Sequence, residues 1–336
     1  MNNLFYRYAR FLIVFFLIGC NSGSVQLLNG QTMGTTYTVK IITNNDLESL
    51  HEKIKFELKR INTIMSTYIK SSELSLLNKS PVGNSIQISE DLTELLSLSH
   101  DIYKLTDGAF DVTVGPLVNL WGFGPEGDAR DIPTPKEIAQ QMQRIGFNQL
   151  QLEGQTAYRM DDIYIDLSGI AKGFAVDRVA ALIKEHSYAD YLVEIGGELK
   201  VGGNNGEGKP WSIAIEKPEV LQRSIFRTLP LNNLGIATSG DYRNYREING
   251  QRYSHLIDPR TGMPITHQLV SVTVLNPSTA FADGLATGLS VLNYKEAMKI
   301  AVEQKYAVLF IIKVDSGFSE QRSPELEKYL ADLKKK

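Results

Sequence analysis

The chain has 336 residues, 43% hydrophobic and 22% charged, with a formal net charge of −3 and a single cysteine. That length and composition support a hydrophobic core that needs no staple, and they exclude low-complexity and collagen-like chains. One cysteine excludes an intrachain disulfide, and the mild acidity gives no electrostatic reason to expect a nucleic-acid partner.

At the N-terminus Arg7 and Arg10 precede the apolar run from Phe11 to Ile18, which is too short to span a bilayer as a helix. The run ends Leu17-Ile18-Gly19-Cys20 and resembles a bacterial lipobox, so residues 1–19 read as a lipoprotein signal peptide. Its removal would leave Cys20 as the lipidated N-terminus. Residues 20–29 then read as a tether and 30–336 as one domain, working outside the cytoplasm at a membrane surface.

Along the mature chain Tyr37, Val39 and Ile41 alternate as a strand does, and Asp46 precedes a helix carrying Leu47, Leu50, Ile54, Leu58, Ile61 and Met65 on one stripe. A second helix follows Ser89, turns Leu92, Leu95, Leu96, Ile102 and Tyr103 inward, and stops at Asp107-Gly108. Gly122 to Pro135 reads as a loop. Strands are expected around Ile163-Ile165-Leu167, Tyr191 to Ile195, Leu199-Val201, Trp211 to Ile215, Val270 to Val274 and Ala307 to Val314. Ala171, Ala175, Val179 and Ile183 mark a helix beginning after the Asp166–Gly169 turn, and Ser323-Pro324 opens the last one. Runs of strands with few intervening helices predict an α+β fold with antiparallel or mixed sheets, not a doubly wound parallel sheet.

Two apparent nucleotide motifs fail on inspection. Gly122-Phe123-Gly124-Pro125-Glu126-Gly127 spells G-x-G-x-x-G without a strand leading in or a helix leading out, and Pro125 removes a backbone donor. Gly203 to Lys209 spells the start of a P-loop, but Pro210 stands where a hydroxyl is required, so a polar hairpin loop joining Leu199-Val201 to Trp211–Ile215 is expected. Asp283 and Thr287 are four residues apart, on one face of a helix, where a carboxylate and a hydroxyl can hold a hard cation beside a phosphate.

Met33-Gly34-Thr35-Thr36-Tyr37, Ser66-Thr67-Tyr68, Gly108-Ala109-Phe110-Asp111, Trp121-Gly122-Phe123-Gly124, Asp166 to Asp177, Gly196-Gly197-Glu198, Thr238 to Tyr242, His255 to Gly262 and Ala282 to Thr287 together resemble the ApbE family of flavin transferases. The resemblance implies an ApbE-like, T-fold-like α+β domain with an FAD cleft between two halves. It implies a membrane-attached, magnesium-dependent enzyme that moves FMN from FAD to a threonine or serine hydroxyl of an acceptor protein and releases AMP. By the same resemblance Gly169, Asp283 and Thr287 are the metal positions. Met33, Tyr68, Ala109, Phe110, Asp111, Asp166, Lys172 and Ile257 match FAD-contacting positions. His255, the one histidine within a motif, is expected by the resemblance to lie near the pyrophosphate and act with Asp283 and Thr287 in catalysis, either as a neutral imidazole that accepts the hydroxyl proton or as a charged one that stabilises the leaving phosphate; His51, His100, His186 and His267 receive no role.

Many relatives place a second acid just before the threonine, where this chain has Ala286. A weak metal site in the absence of FAD is therefore expected. Lys172 and free N–H groups of the helix it opens are expected to face phosphate. The implied acceptor is a subunit of a membrane redox complex, and the implied location is the periplasmic face of a bacterial membrane, the inner one favoured. Two alternatives share these residues: an FAD pyrophosphatase in which water replaces the acceptor, and a lipid-anchored flavin carrier without chemistry.

Overall fold

The computed structural model describes residues 23–124, 131–219, 224–240, 245–248 and 250–335. The signal peptide, Cys20, the start of the tether, the Pro125 end of the first discarded motif, and Asp241-Tyr242 lie outside the described residues.

Among the described residues eight strands form the central sheet, in the order Val25–Thr32, Thr35–Ile42, Tyr191–Ile195, Glu198–Gly202, Gly235–Gly240, Leu269–Asn276, Ala307–Val314 and Gly317–Arg322. Each of these pairings is antiparallel. Most helices pack on one face, and the class is α+β as the order of elements predicts. Val39, Ile41, Val193 and Ile195 face the helices Ala171–Glu185, Glu48–Met65 and Glu90–Leu105 in one apolar cluster. Val272, Val274 and Phe310 continue that layer against Leu285 and Leu289 of the Thr279–Val291 helix. The other face gives Leu192, Val201, Ile236, Leu309 and Ile311 to a two-stranded layer, Trp211–Glu216 with Ile225–Leu231, and to Leu326 of the Pro324–Leu333 helix. Leu269–Asn276 is covered on both sides, so Ser271 and Thr273, which alternate with its valines, are buried as well.

The helix starts are written locally. Asp46 accepts the Glu48 N–H at 3.0 Å, Ser89 accepts the Leu92 N–H at 3.3 Å, and Ser323 accepts the Leu326 N–H at 3.3 Å. The Glu90–Leu105 helix is followed by Asp107 and Gly108 at φ 49° and 77°, a left-handed exit. Among the described residues no helix is long and apolar enough to cross a membrane.

Four expectations are corrected. The stretch read as tether is sheet from Val25 onward, because Val25 to Thr32 pairs residue for residue with Thr35 to Ile42. Gly203–Lys209 does not close a hairpin: Glu198–Gly202 pairs with Tyr191–Ile195 and Gly235–Gly240, whereas Trp211–Glu216 pairs with Ile225–Leu231 in the second layer. Pro135 is not loop; it opens the Pro135–Met142 helix, with Thr134 and Glu137 forming a capping box. Finally, Ile163-Ile165-Leu167 is buried but belongs to no strand. Its polar groups are satisfied elsewhere: the Asn78 amide donates to the Ile165 carbonyl and accepts its N–H, both at 2.8 Å, and the Asp166 N–H donates to the Val112 carbonyl at 2.7 Å.

Candidate functional site

The segment pinned by Asn78 feeds directly into the Ala171–Glu185 helix. Asp166 accepts both the N–H and the hydroxyl of Ser168, at 2.8 and 2.5 Å, which turns the chain, and the Ile170 and Ala171 N–H groups then bond back to the Leu167 carbonyl. Ile170, at the cap position, has no side-chain oxygen to offer. The cap comes instead from another helix: Asp283 Oδ2 accepts the Gly173 N–H at 2.9 Å. Only glycine permits this approach, since a Cβ at residue 173 would lie 2.4 Å from the Thr279 carbonyl oxygen and 2.8 Å from Asp283 Cβ. The expected row of free N–H groups facing phosphate is therefore partly spent inside the protein, on Leu167 and Asp283.

One turn beyond Asp283, the Thr287 hydroxyl donates to the Gly169 carbonyl at 3.4 Å, and Gly169 also borders the Phe110 ring. The three positions expected to hold metal thus meet where the start of the Ala171–Glu185 helix packs on the Thr279–Val291 helix, as one carboxylate, one hydroxyl and one carbonyl. All are hard oxygen donors of the kind a magnesium ion takes. Among the described residues no three His, Cys, Asp or Glu side chains gather as a metal cluster, so this donor set would leave several positions to water and phosphate oxygens. Ala286, beside Thr287, is fully buried in the cluster that holds Ala109, Val272 and Leu289.

Lys172 lies over the same junction. Its Nζ is 3.3 Å from Glu198 Oε1, 3.9 Å from Asp283 Oδ2 and 3.4 Å from the Ser168 carbonyl. Glu198 and Asp283 are each 5% exposed. Burial alone would lower the Lys172 pKa, but the negative charges of Asp283 and Glu198 outweigh it and hold the ammonium well above its ordinary range. Burial raises Asp283, and the Lys172 charge and the Gly173 N–H offset part of that. Glu198 is likewise raised, by burial first, with Lys172 opposing.

The remaining expected residues take four other places. Ala109, Phe110 and Asp111 are all buried, the first two beside the Thr279–Val291 helix; the Phe110 N–H bonds to the Thr106 hydroxyl at 3.0 Å, and Asp111 accepts the Thr113 N–H and hydroxyl at 2.8 and 2.7 Å. Desolvation pushes the Asp111 carboxyl up to about 6 against those hydrogen bonds. Met33 sits at φ 49° with Gly34 at 70° in the two-residue turn between the first strands, partly buried on the main cluster. Tyr68 is 70% exposed on the turn before the Glu73–Lys79 helix. His255 lies edge-on to Phe123, centroids 6.3 Å apart, and Ile257 is buried with Leu117, Trp121 and Ile138. The Trp121 Nε1–H donates to the Gly262 carbonyl at 3.0 Å, tying two motifs that lie far apart in sequence.

Sequence reasoning assigned no role to two residues that matter here. Glu198 carried a signal, an acid directly after two glycines within a quoted motif. Asn78 carried none, because its partner segment lies 87 residues away.

A sequence profile described as the ApbE family matches residues 33–310. The chain is 46% identical over 312 residues to the "FAD:protein FMN transferase" of Haemophilus influenzae, covering 90% of each, and 45% identical over 320 residues to that of Vibrio cholerae, covering 94% and 96%. In structure it resembles the "Flavin Transferase ApbE from Vibrio cholerae", with a TM-score of 0.85 and 44% identity over 91% of this chain and 99% of that one. The apo flavinyl transferase ApbE of Pseudomonas stutzeri gives a TM-score of 0.84 and 36% identity over 91% and 97%. With the motifs, the antiparallel sheet and these relatives in agreement, the chain belongs to the ApbE family.

Proposed function

We propose that this protein is an FAD:protein FMN transferase, joining FMN through its phosphate to a threonine or serine hydroxyl of an acceptor protein and releasing AMP. The observation that carries the reading is the convergence of Asp283, Thr287, Gly169 and Lys172 at one helix junction in a chain whose nearly full-length relatives bear that activity's name. The acceptor hydroxyl oxygen attacks the phosphorus on the FMN side, the bond from that phosphorus to the bridging oxygen breaks, and AMP leaves with the bonding pair. His255 takes the hydroxyl proton. Lys172 supplies a fixed positive charge to the pyrophosphate oxygens. Asp283, Thr287 and the Gly169 carbonyl are the groups that would hold magnesium, which when bound neutralises charge on the pyrophosphate. Met33, Tyr68, Ala109, Phe110, Asp111, Asp166 and Ile257 would seat the dinucleotide, with thioether and aromatic groups available to pack on the flavin ring.

The same reading places the protein at the periplasmic face of a bacterial membrane, the inner one favoured, held by lipid on Cys20 and acting on a subunit of a membrane redox complex. Cys20→Ser would then release the protein into the soluble fraction with its catalysis intact; retention after a salt wash would refute the anchor. The activity itself is tested by incubating the protein with FAD, magnesium and a candidate acceptor domain, then reading flavin fluorescence on the denatured acceptor. Covalent fluorescence that a chelator abolishes supports transfer. AMP without labelled acceptor would mean hydrolysis, and neither product would mean a carrier.

A further inference from the structure

We propose that Glu198 is a positioning residue that draws the Lys172 ammonium away from Asp283, keeping the Asp283 carboxylate open to a divalent cation. The inference rests on the metal role given above to Asp283. Three ionisable groups share a nearly dry space: two carboxyl groups, each 5% exposed, and one ammonium whose side chain is 27% exposed. Were Glu198 neutral, Lys172 and Asp283 would form a closed pair of zero net charge, and an incoming cation would have to displace an ammonium from its only acid ligand. With Glu198 present the ammonium has a second counter-ion and already favours it, at 3.3 Å against 3.9 Å for Asp283. At such separations in a low-dielectric setting each of these contacts is strong enough to redistribute the others.

The backbone is arranged for this. Glu198 follows Gly196 and Gly197, at φ 61° and 107°, which turn the chain from one central strand into the next. A Cβ at residue 196 would stand 3.2 Å from Lys172 Cδ, so the bare glycine leaves the channel along which the lysine stem reaches Glu198. The second carboxylate oxygen, Glu198 Oε2, is buried and has no hydrogen-bond partner. An ammonium has three donors. As a cation occupies Asp283, Lys172 can shift onto Oε2 and give that oxygen the partner it lacks.

The test is manganese binding, read as loss of the free Mn2+ electron-spin signal on titration into the FAD-free protein, with a melting curve to verify folding of each variant. Glu198→Gln, which keeps shape and removes charge, should weaken Mn2+ binding about tenfold, and Glu198→Asp should recover part of it. Lys172→Met alone should tighten binding, and adding Glu198→Gln to Lys172→Met should change it by less than about threefold, because the ammonium to be steered is gone. An equal loss from Glu198→Gln in both backgrounds would overturn the proposal in favour of a plain through-space charge effect, as would an unchanged affinity in Glu198→Gln itself. Asp283→Asn separates the two levels. If it leaves Mn2+ affinity unaltered, the metal role of Asp283 falls and this inference with it; if it abolishes binding while Glu198→Gln does not weaken it, only the steering role falls.

Discussion

Replacing Asp283 by asparagine or by alanine divides the two tasks that the helix junction gives its carboxylate. Asparagine keeps an oxygen that can accept the Gly173 N–H, now at 2.9 Å, and loses only the charge facing Lys172 at 3.9 Å. Alanine removes both. A lost helix cap costs about 1 kcal/mol, and a buried donor left without a partner costs about 1–3 kcal/mol. Lys172 retains Glu198 at 3.3 Å, so the ammonium is not stranded and the larger penalty of a broken buried ion pair does not apply. The alanine variant should therefore be destabilised by about 2 kcal/mol. The asparagine variant should lie within about 1 kcal/mol of wild type, because relieving a desolvated carboxylate offsets part of the lost pairing. In a domain of this size that is a fall in melting temperature of about 3 °C for alanine and little for asparagine. Thermal melts without divalent cation measure the cap, and FMN transfer at saturating FAD measures the ligand role; both variants should fail in the second assay. Coincident melts for the two variants would refute the capping role, and transfer by the asparagine variant would refute the ligand role.

Asn78→Ala should cost about 2–5 kcal/mol in denaturant unfolding, because it orphans both the N–H and the carbonyl of buried Ile165. It should also weaken FAD binding by loosening the segment that leads to Gly169, so unchanged values for both would refute the pinning. For Asp111 the folded carboxyl titrates at about 6 against about 3.9 unfolded. Between those values the folded chain holds a proton that the unfolded chain has lost, so stability falls as pH rises through that window, by up to about 3 kcal/mol. Asp111→Asn should lose less stability than wild type between pH about 4 and pH about 7; parallel denaturation profiles would contradict the assignment. His255→Ala should slow single-turnover transfer by about 10²–10⁴ with FAD affinity nearly unchanged, and an unaltered rate would return the ring to a packing role against Phe123.

The helices were legible wherever a local rule wrote them. Ser89 and Ser323 cap their own first turns, and the stripes from Leu50 to Met65 and from Ala171 to Ile183 are buried as their spacing predicts. The Pro135–Met142 helix is equally readable from Thr134 and Glu137, but Pro135 reads both as loop punctuation and as a first-turn residue, and the capping box decides for the second. The first strand escaped because it lies at the sheet edge with Val25 and Leu27 more than half exposed, so its apolar residues do not mark an inward face. Ile163 to Leu167 has a strand's alternation, but its backbone bonds go to the distant Asn78 amide and the Val112 carbonyl, partners that its own sequence does not announce.

At the site, helical spacing put Asp283 and Thr287 on one face, and the structure brings Gly169 to Thr287 as the family motifs imply. Two facts depended on tertiary packing and had no local sign: that Asp283 caps a helix 110 residues earlier, and that Glu198 comes within 3.3 Å of Lys172. Ala286 looked like a missing ligand in the sequence. In the fold it is core, buried in the same cluster as Ala109 and Val272.

The central claim is that the FMN phosphoryl group passes from FAD to a protein hydroxyl without entering solution. The most direct measurement is the amount of AMP released against the amount of FMN covalently bound to purified acceptor, with FAD and magnesium, in water enriched in heavy oxygen. The account predicts equal amounts of the two products and no heavy oxygen in either phosphate. AMP in excess of bound FMN, with heavy oxygen appearing in free FMN or AMP, would contradict it.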